Sequence, residues 1–194
     1  MISLRGVYKG QRGAALVVAL ILLLMMTLIA STAIQSNLLQ SRMTANLQDQ
    51  AVAFEASETA LLYAEEWLAS LKAEPELTDY DGWSSGDTEF VFDSRSSSSS
   101  SATLKDQLEK LSTVDDWVAR AKPASDFNSN KIARVYEQPK VSLELVQLTP
   151  DDKTLGYVYG EGSGVATFRQ LSRSTGVTGN SEVVLVSEYR KRFR

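Results

Sequence analysis

The chain has 194 residues, of which 43% are hydrophobic, and a formal net charge of -4 at pH 7. It contains no Cys and no His, which excludes a disulfide scaffold, a Cys/His metal site and every catalytic triad that uses either residue. The length leaves room for one modest soluble domain beside any membrane segment, and the mildly acidic balance argues against a nucleic-acid partner.

A short basic leader opens the chain. Residues 1–13 carry Arg5, Lys9 and Arg12 and no acidic residue, and by the positive-inside rule this end stays in the cytoplasm while the rest is sent outward. Without these 13 residues the chain keeps 17 basic and 24 acidic residues, a net charge of -7.

An uncharged stretch without Pro or Gly, AALVVALILLLMMTLIASTA, follows from Ala14 to Ala33. At about 1.5 Å per residue its length matches the hydrocarbon thickness of a bilayer, and we predict a transmembrane helix over residues 14–35. One interpretation is an uncleaved signal anchor, because no small-residue cleavage site follows the apolar core. The other is a cut before the apolar run, after Gly13, which leaves Ala14 as the first mature residue.

Residues 36–73 continue the helix in amphipathic form, because neither Gly nor Pro occurs from Ala14 to Lys72. Apolar residues recur every three or four positions, which predicts one face packed on a core. A coiled coil is the alternative, although no heptad is sustained. The residues expected to pack between helix and sheet include Met43, Leu47, Phe54, Leu61 and Leu68.

The remainder, residues 74–194, reads as an exported globular domain. Thr88 to Phe92 is a candidate strand, Ser96 to Ser101 a flexible loop, and Thr103 to Lys122 one helix or two short ones. Further on, apolar and polar residues alternate, which predicts an antiparallel sheet and an α+β fold with the long helix packed on it. The alternating segments are Lys131 to Gln138, Val141 to Leu148, Gly156 to Glu161, Gly164 to Leu171 and Glu182 to Phe193.

Several polar groupings fall short of a catalytic or ligand site. The basic tail from Arg190 to Arg194 resembles a charged edge strand more than a phosphate or DNA site. The pairs Asp79/Asp81 and Asp151/Asp152 lack the spacing of a calcium loop. Gly160 to Gly164 lacks the Lys and the helix of a phosphate loop. We therefore predict no enzyme activity, metal, cofactor or small-molecule substrate.

The leader, Gly13 and the retained apolar helix together resemble the class III signal of type IV prepilins. The run SRMTANLQDQAVAFEASETALLYAEEWL (Ser41 to Leu68) is similar to the amino-terminal signature of PilX-type minor pilins, and Ala166 to Arg192 resembles their carboxyl-terminal signature. The resemblance implies a pilin-like fold, cleavage by prepilin peptidase between Gly13 and Ala14, and methylation of the new amine.

The same resemblance gives meaning to Val18, where most pilins have a Glu that neutralises the amino terminus of a neighbouring subunit. A subunit without it suits the tip, where no neighbour lies above, and PilX-type minor pilins also lack it. The implied function is to initiate pilus assembly, from the inner membrane, together with other minor pilins and the major pilin. The alternatives are a tip adhesin or DNA-uptake element, an anchored periplasmic binding domain, and a type II secretion pseudopilin, whose usual extra domain has little room here.

Overall fold

The computed structural model describes residues 12–79, 90–96, 103–150 and 164–193. Its helices are α1 (Arg12–Ser70), α2 (Leu104–Lys110) and α3 (Val114–Arg120), with short 3-10 turns at Ser94–Ser96 and Ala124–Asp126. The strands are β1 (Leu77–Asp79), β2 (Val91–Asp93), β3 (Lys122–Pro123), β4 (Lys140–Pro150), β5 (Gly164–Thr175) and β6 (Glu182–Phe193).

The chain divides into two units, Met1–Asn46 and Leu47–Arg194. The described part of the first unit is helical, as expected for a run of Ala, Leu and Met without Gly or Pro after Gly13. The second unit contains the rest of α1 and all of the described strands. The boundaries predicted at residues 13, 35 and 73 stay predictions.

The sheet has the strand order β1-β2-β4-β5-β6, and β3 pairs with the start of β4. Strands β4, β5 and β6 form an antiparallel meander, whereas β1 and β2 run parallel to each other and to β4. The α+β prediction of a long helix packed on a largely antiparallel sheet is confirmed. The predicted strand Thr88 to Phe92 overlaps β2 at Val91 and Phe92, whereas β1 and the parallel pairing of β1 with β2 were not anticipated, because strands of three residues show no periodicity.

Two layers cover the two faces of this sheet. On one face, α1 contributes Ala60, Ala64 and Leu68 to a core with Leu143 and Phe168. On the other face, α2 and α3 (residues 104–120, the α2–α3 layer) pack Leu111 and Trp117 against Leu171. Because side chains alternate along a strand, residues 142, 144, 169 and 171 face the α2–α3 layer, and residues 143, 168, 170 and 172 face α1.

Both helices of the α2–α3 layer begin with a capping box. The hydroxyl of Thr103 accepts a hydrogen bond from the backbone N–H of Asp106, whose carboxylate accepts one from the Thr103 N–H. Thr113 and Asp116 repeat this arrangement at α3. The prediction for Thr103 to Lys122 is thus met by two short helices, each with its own start signal.

The predicted strand from Lys131 to Gln138 is wrong, because this segment is a loop. Arg134 has φ 63°, a left-handed conformation that interrupts an extended strand. The Gln138 side chain closes the loop, since its Oε1 accepts from the Ile132 N–H (3.0 Å) and its Nε2 donates to the Ile132 carbonyl (2.8 Å). Other predicted segments lie partly or wholly outside the described residues: 88–89, 97–101 and 156–161.

Candidate functional site

The amino-terminal part of α1, from Ala14 to Ala33, carries apolar side chains on all sides. Every side chain described from residue 13 to residue 48 is exposed, and Leu20, Leu24 and Leu28 keep 58 to 60% of their surface. By length and composition, the stretch within Gly13–Ser70 is long and apolar enough to cross a membrane. In water such a surface would be unfavourable by about 25 cal/mol per Å², so it requires lipid or other apolar helices around it.

The two threonine side chains inside this apolar run form hydrogen bonds within the helix. The hydroxyl of Thr27 donates to the Leu24 carbonyl (2.8 Å), and that of Thr32 donates to the carbonyls of Leu28 and Ile29 (3.1 and 2.9 Å). These bonds remove hydroxyl donors that hydrocarbon would leave unpaired. The helix is therefore chemically compatible with a bilayer around its full circumference.

The residues expected at the processing site fall at the start of this helix. Arg12 is its first residue, Gly13 and Ala14 follow, and Arg5 and Lys9 lie outside the described residues. An added Cβ at Gly13 would meet no described atom within 4 Å, so nothing described here requires Gly at this position for packing. The side chain of Val18 is exposed, like its neighbours.

Polar contacts attach the outer half of α1 to the sheet. Ser57 Oγ donates to the Ser172 carbonyl (3.2 Å) and lies 3.0 Å from Ser172 Oγ, and Ser174 Oγ donates to the Ala53 carbonyl. Lys191 Nζ donates to the carbonyls at the end of α1, at 2.6 Å for Leu68. It thereby satisfies helix-terminal acceptors with a positive charge at the negative end of the helix dipole.

The attachment of α1 to the sheet begins with hydrogen bonds to Asp49. Its carboxylate accepts hydrogen bonds from the N–H and the hydroxyl of Thr178, at 3.0 and 2.8 Å, in the turn between β5 and β6. A Cβ at Gly176 would lie 2.5 Å from Asp49 Cγ and 2.6 Å from the Asp49 carbonyl oxygen. Only glycine therefore lets the turn approach the helix this closely.

The helix face that meets the sheet is lined mainly by small residues. Leu61 and Leu68 are buried, whereas Met43, Leu47 and Phe54 are exposed at 66, 57 and 44%. The prediction that Leu47 and Phe54 pack on the sheet is wrong, since small side chains let the α1 backbone approach the strands and leave larger ones on the flank. The packing of Met43, which lies in the first unit, stays a prediction. The signal was present in the sequence as Ala or Ser at helical spacing: Ala53, Ala56, Ser57, Ala60 and Ala64.

Two buried polar residues that no sequence pattern indicated lie where the α2–α3 layer meets the sheet, Gln107 on α2 and Glu144 on β4. Gln107 and Glu144 are each 1% exposed, and both polar side-chain atoms of Gln107 and Oε2 of Glu144 lack a hydrogen-bond partner in the described structure. Burial raises the pKa of Glu144 to about 8, against the opposing effect of Arg169 and other nearby cations. The only hint in the sequence was a Glu at an inward position of a strand.

The other groupings do not form a ligand site. Within the described ranges, no three acidic, His or Cys side chains are arranged to hold a metal ion. Asp79 accepts a hydrogen bond from Ser96 (2.7 Å), and Asp81, Asp151, Asp152 and Arg194 lie outside those ranges. Of the basic tail, Lys191 contacts the end of α1. Phe193 is buried against Phe168.

Comparison with known protein families identifies the amino-terminal part of the chain. Residues 12–62 match the family model described as PilX N-terminal. The matched segment contains the whole apolar run from Ala14 to Ala33 and the part of α1 that begins to pack on the sheet. No curated protein and no solved structure matches the chain.

Proposed function

We propose that this chain, whose residues 12–62 match the PilX N-terminal family model, is a type IV pilus pilin of the PilX family that acts as an initiating minor pilin. In this proposal it assembles with other minor pilins, starts the growth of the fibre and stays at or near the tip. The subunit acts by packing against other pilins, and this function requires no catalytic group.

The observation that carries the proposal is the contrast along α1. From residue 13 to residue 48 every described side chain is exposed, whereas Ala53, Ala60 and Ala64 are fully buried against the sheet domain. Between Ala14 and Ala33 this exposed surface is apolar on all sides, and such a helix is stable in a bilayer or among other apolar helices. A subunit that moves from membrane to fibre meets these two environments in turn. The helix serves as anchor first and as fibre core later.

The orientation follows from the leader charges. Arg5, Lys9 and Arg12 keep the amino terminus in the cytoplasm, which sends residues 74–194 to the periplasm and, after assembly, to the cell exterior. Prepilin peptidase then cuts between Gly13 and Ala14 at the cytoplasmic surface of the inner membrane, and the new amine is methylated.

The amino terminus of the mature protein tests this processing. Mass spectrometry of the full chain, expressed with and without prepilin peptidase, should find Ala14 as the first residue only when the enzyme is present. Gly13→Ile should block the cut because a branched side chain replaces the small recognition residue, and Gly10→Ile is the matched control that should leave it intact. A chain that keeps Met1 under all conditions would refute processing.

A deletion strain tests the initiating role. Loss of this chain should abolish or strongly reduce surface pili, and expression of the full chain should restore them. A strain that keeps normal numbers of pili but loses attachment or DNA uptake would instead support the tip adhesin or uptake element.

Val18 tests the tip position. An amino terminus that is left unpaired in an apolar surrounding is unfavourable by several kcal/mol. A carboxylate at position 18 would neutralise the amino terminus of a neighbouring subunit and remove this cost. Val18→Glu should therefore spread the subunit along the fibre, as seen by immunogold labelling. Val17→Glu places the same charge on a different side of the helix and should not. Unchanged labelling at the tip with Val18→Glu would contradict this account.

A further inference from the structure

Several buried polar atoms on the inner side of the α2–α3 layer lack hydrogen-bond partners. It buries both polar atoms of Gln107, Oε2 of Glu144 and Nη1 of Arg169 without hydrogen-bond partners in the described residues. A buried polar atom left unpaired is unfavourable by about 1–3 kcal/mol. Contact with water would relieve this penalty, and movement of the layer away from the sheet would provide that contact.

The apolar contacts that hold this layer in place are few. They join Leu111, Trp117 and Ala121 to Leu171, whereas the core on the opposite face contains eleven buried residues. Each helix of the layer has seven residues, too few for stability without packing. A small apolar contact combined with unpaired polar atoms is typical of a segment that opens locally at low free energy.

Glu144 lies on the sheet face that the α2–α3 layer covers. It pairs in register with Phe92 of β2 on one side and with Arg169 of β5 on the other. Arg169 is drawn partly outward, since its Nε lies 3.8 Å from Oε1 of Glu188. The guanidinium of Arg120, from α3, lies 4.2 Å from the centre of the Phe92 ring.

We propose that the α2–α3 layer is a pH-dependent cover, which is closed over a protonated Glu144 and opens when this carboxyl group ionises. The charged groups that face Glu144 are Arg169 from β5, Arg120 from α3, and Lys110 and Asp106 from α2. Opening hydrates the carboxylate and leaves Arg169 beside it on the sheet, so the open state tolerates the negative charge that the closed state does not.

The direction of the pH effect follows from the pKa. Burial raises the pKa of Glu144 in the closed state above its ordinary value of 4.5, to about 8. The stabilisation of the closed state is therefore complete below about pH 4.5 and is lost as the pH rises toward 8, above which no further change occurs.

Hydrogen exchange of the full chain in detergent micelles, measured by mass spectrometry between pH 5 and 9, tests the cover. After correction for intrinsic exchange rates, the opening constant of peptides from residues 103–121 should rise at least about tenfold from pH 6 to pH 8. Peptides from β5 and β6 should show no such rise. Glu144→Gln keeps the shape without the titration and should abolish the rise, whereas Glu109→Gln, an exposed carboxyl group on α2, should leave it unchanged.

Two results would overturn the proposal. One is an opening constant of residues 103–121 that does not change with pH in the wild-type chain, and the other is a rise that persists in Glu144→Gln. Protection of β5 and β6 reports whether the variant is folded. If Glu144→Gln is not folded, Glu144→Leu carries the same test, because it also removes the titrating group.

Discussion

The two faces of one sheet are covered in different ways. On the α1 face, small residues let helix and strands approach closely, and side chains such as Lys191 and Ser174 bond directly to the helix backbone. On the α2–α3 face, the short helices contribute only Leu111, Trp117 and Ala121 to an apolar cluster with Leu171. Unpaired buried polar atoms occur on both faces, at Gln170 under α1 and at Gln107, Glu144 and Arg169 under the α2–α3 layer. The faces therefore differ in the size of their apolar core, and we expect the α1 face to contribute more to the stability of the domain.

The largest expected effect comes from the centre of the α1 face. Leu68→Ala should reduce the free energy of unfolding by about 3–4 kcal/mol, because Leu68 is fully buried and its removal leaves a cavity. Leu111→Ala, the matched change on the other face, should reduce it by about 2 kcal/mol. Guanidinium unfolding in detergent followed by Trp fluorescence measures both. Equal losses would contradict the difference between the faces.

Overpacking the helix-sheet contact should have the next largest effect. Ala60→Leu should destabilise the chain by about 2 kcal/mol, since Ala60 is fully buried and a larger side chain forces α1 away from the strands. Ala69→Leu, on the exposed side of the same helix, is the control and should change the midpoint of unfolding little. Comparable midpoints for the two variants would mean that the close approach is not required.

The α2–α3 layer should be sensitive to its caps. Thr113→Ala removes the hydroxyl that accepts from the Asp116 N–H (3.2 Å) and should destabilise α3 by about 1 kcal/mol. Hydrogen exchange should increase in residues 114–120 and stay unchanged in β6. Thr113→Ser keeps the hydroxyl and should retain protection. Loss of protection in β6 as well would show that the two faces do not open independently.

The smallest effect is expected at the pair Arg173–Glu182, across β5 and β6, in which Arg173 is buried and Glu182 is half-exposed. Hydrogen bonds from Arg173, at 2.7 and 3.0 Å, hold the pKa of Glu182 below its ordinary value of 4.5. Its stabilisation is therefore present above that value and is lost as the pH falls through the lowered pKa. Because half of the Glu182 side chain is exposed, Glu182→Gln should reduce stability at pH 7 by less than about 0.5 kcal/mol. A thermal unfolding series from pH 7 to pH 3 should show the difference between wild type and variant vanish at the acid end.

Sequence patterns predicted the elements better than their contacts. Strand β6 begins at Glu182 and ends at Phe193 as expected, because its alternation is uninterrupted and Gly176 to Asn180 marks the turn before it. The segment from Lys131 to Gln138 shows the same alternation but forms a loop, since the left-handed Arg134 and the Gln138 side-chain bonds prevail over a weak local preference. The resemblance seen between Ser41 and Leu68 agrees with the match of residues 12–62 to the PilX N-terminal family model, which covers most of that run.

Residue composition along the chain is enough to predict a long helix with an apolar first half ahead of an α+β domain, because helix continuity and bilayer compatibility depend on one segment alone. The helix face that meets the sheet and the burial of Glu144 could not be predicted in this way. Those outcomes depend on how closely two backbones approach and on which side chains meet across the chain. Hydrophobicity points to Phe54 as a core residue, whereas the fold places Ala53 there because a small side chain lets the helix contact the strands.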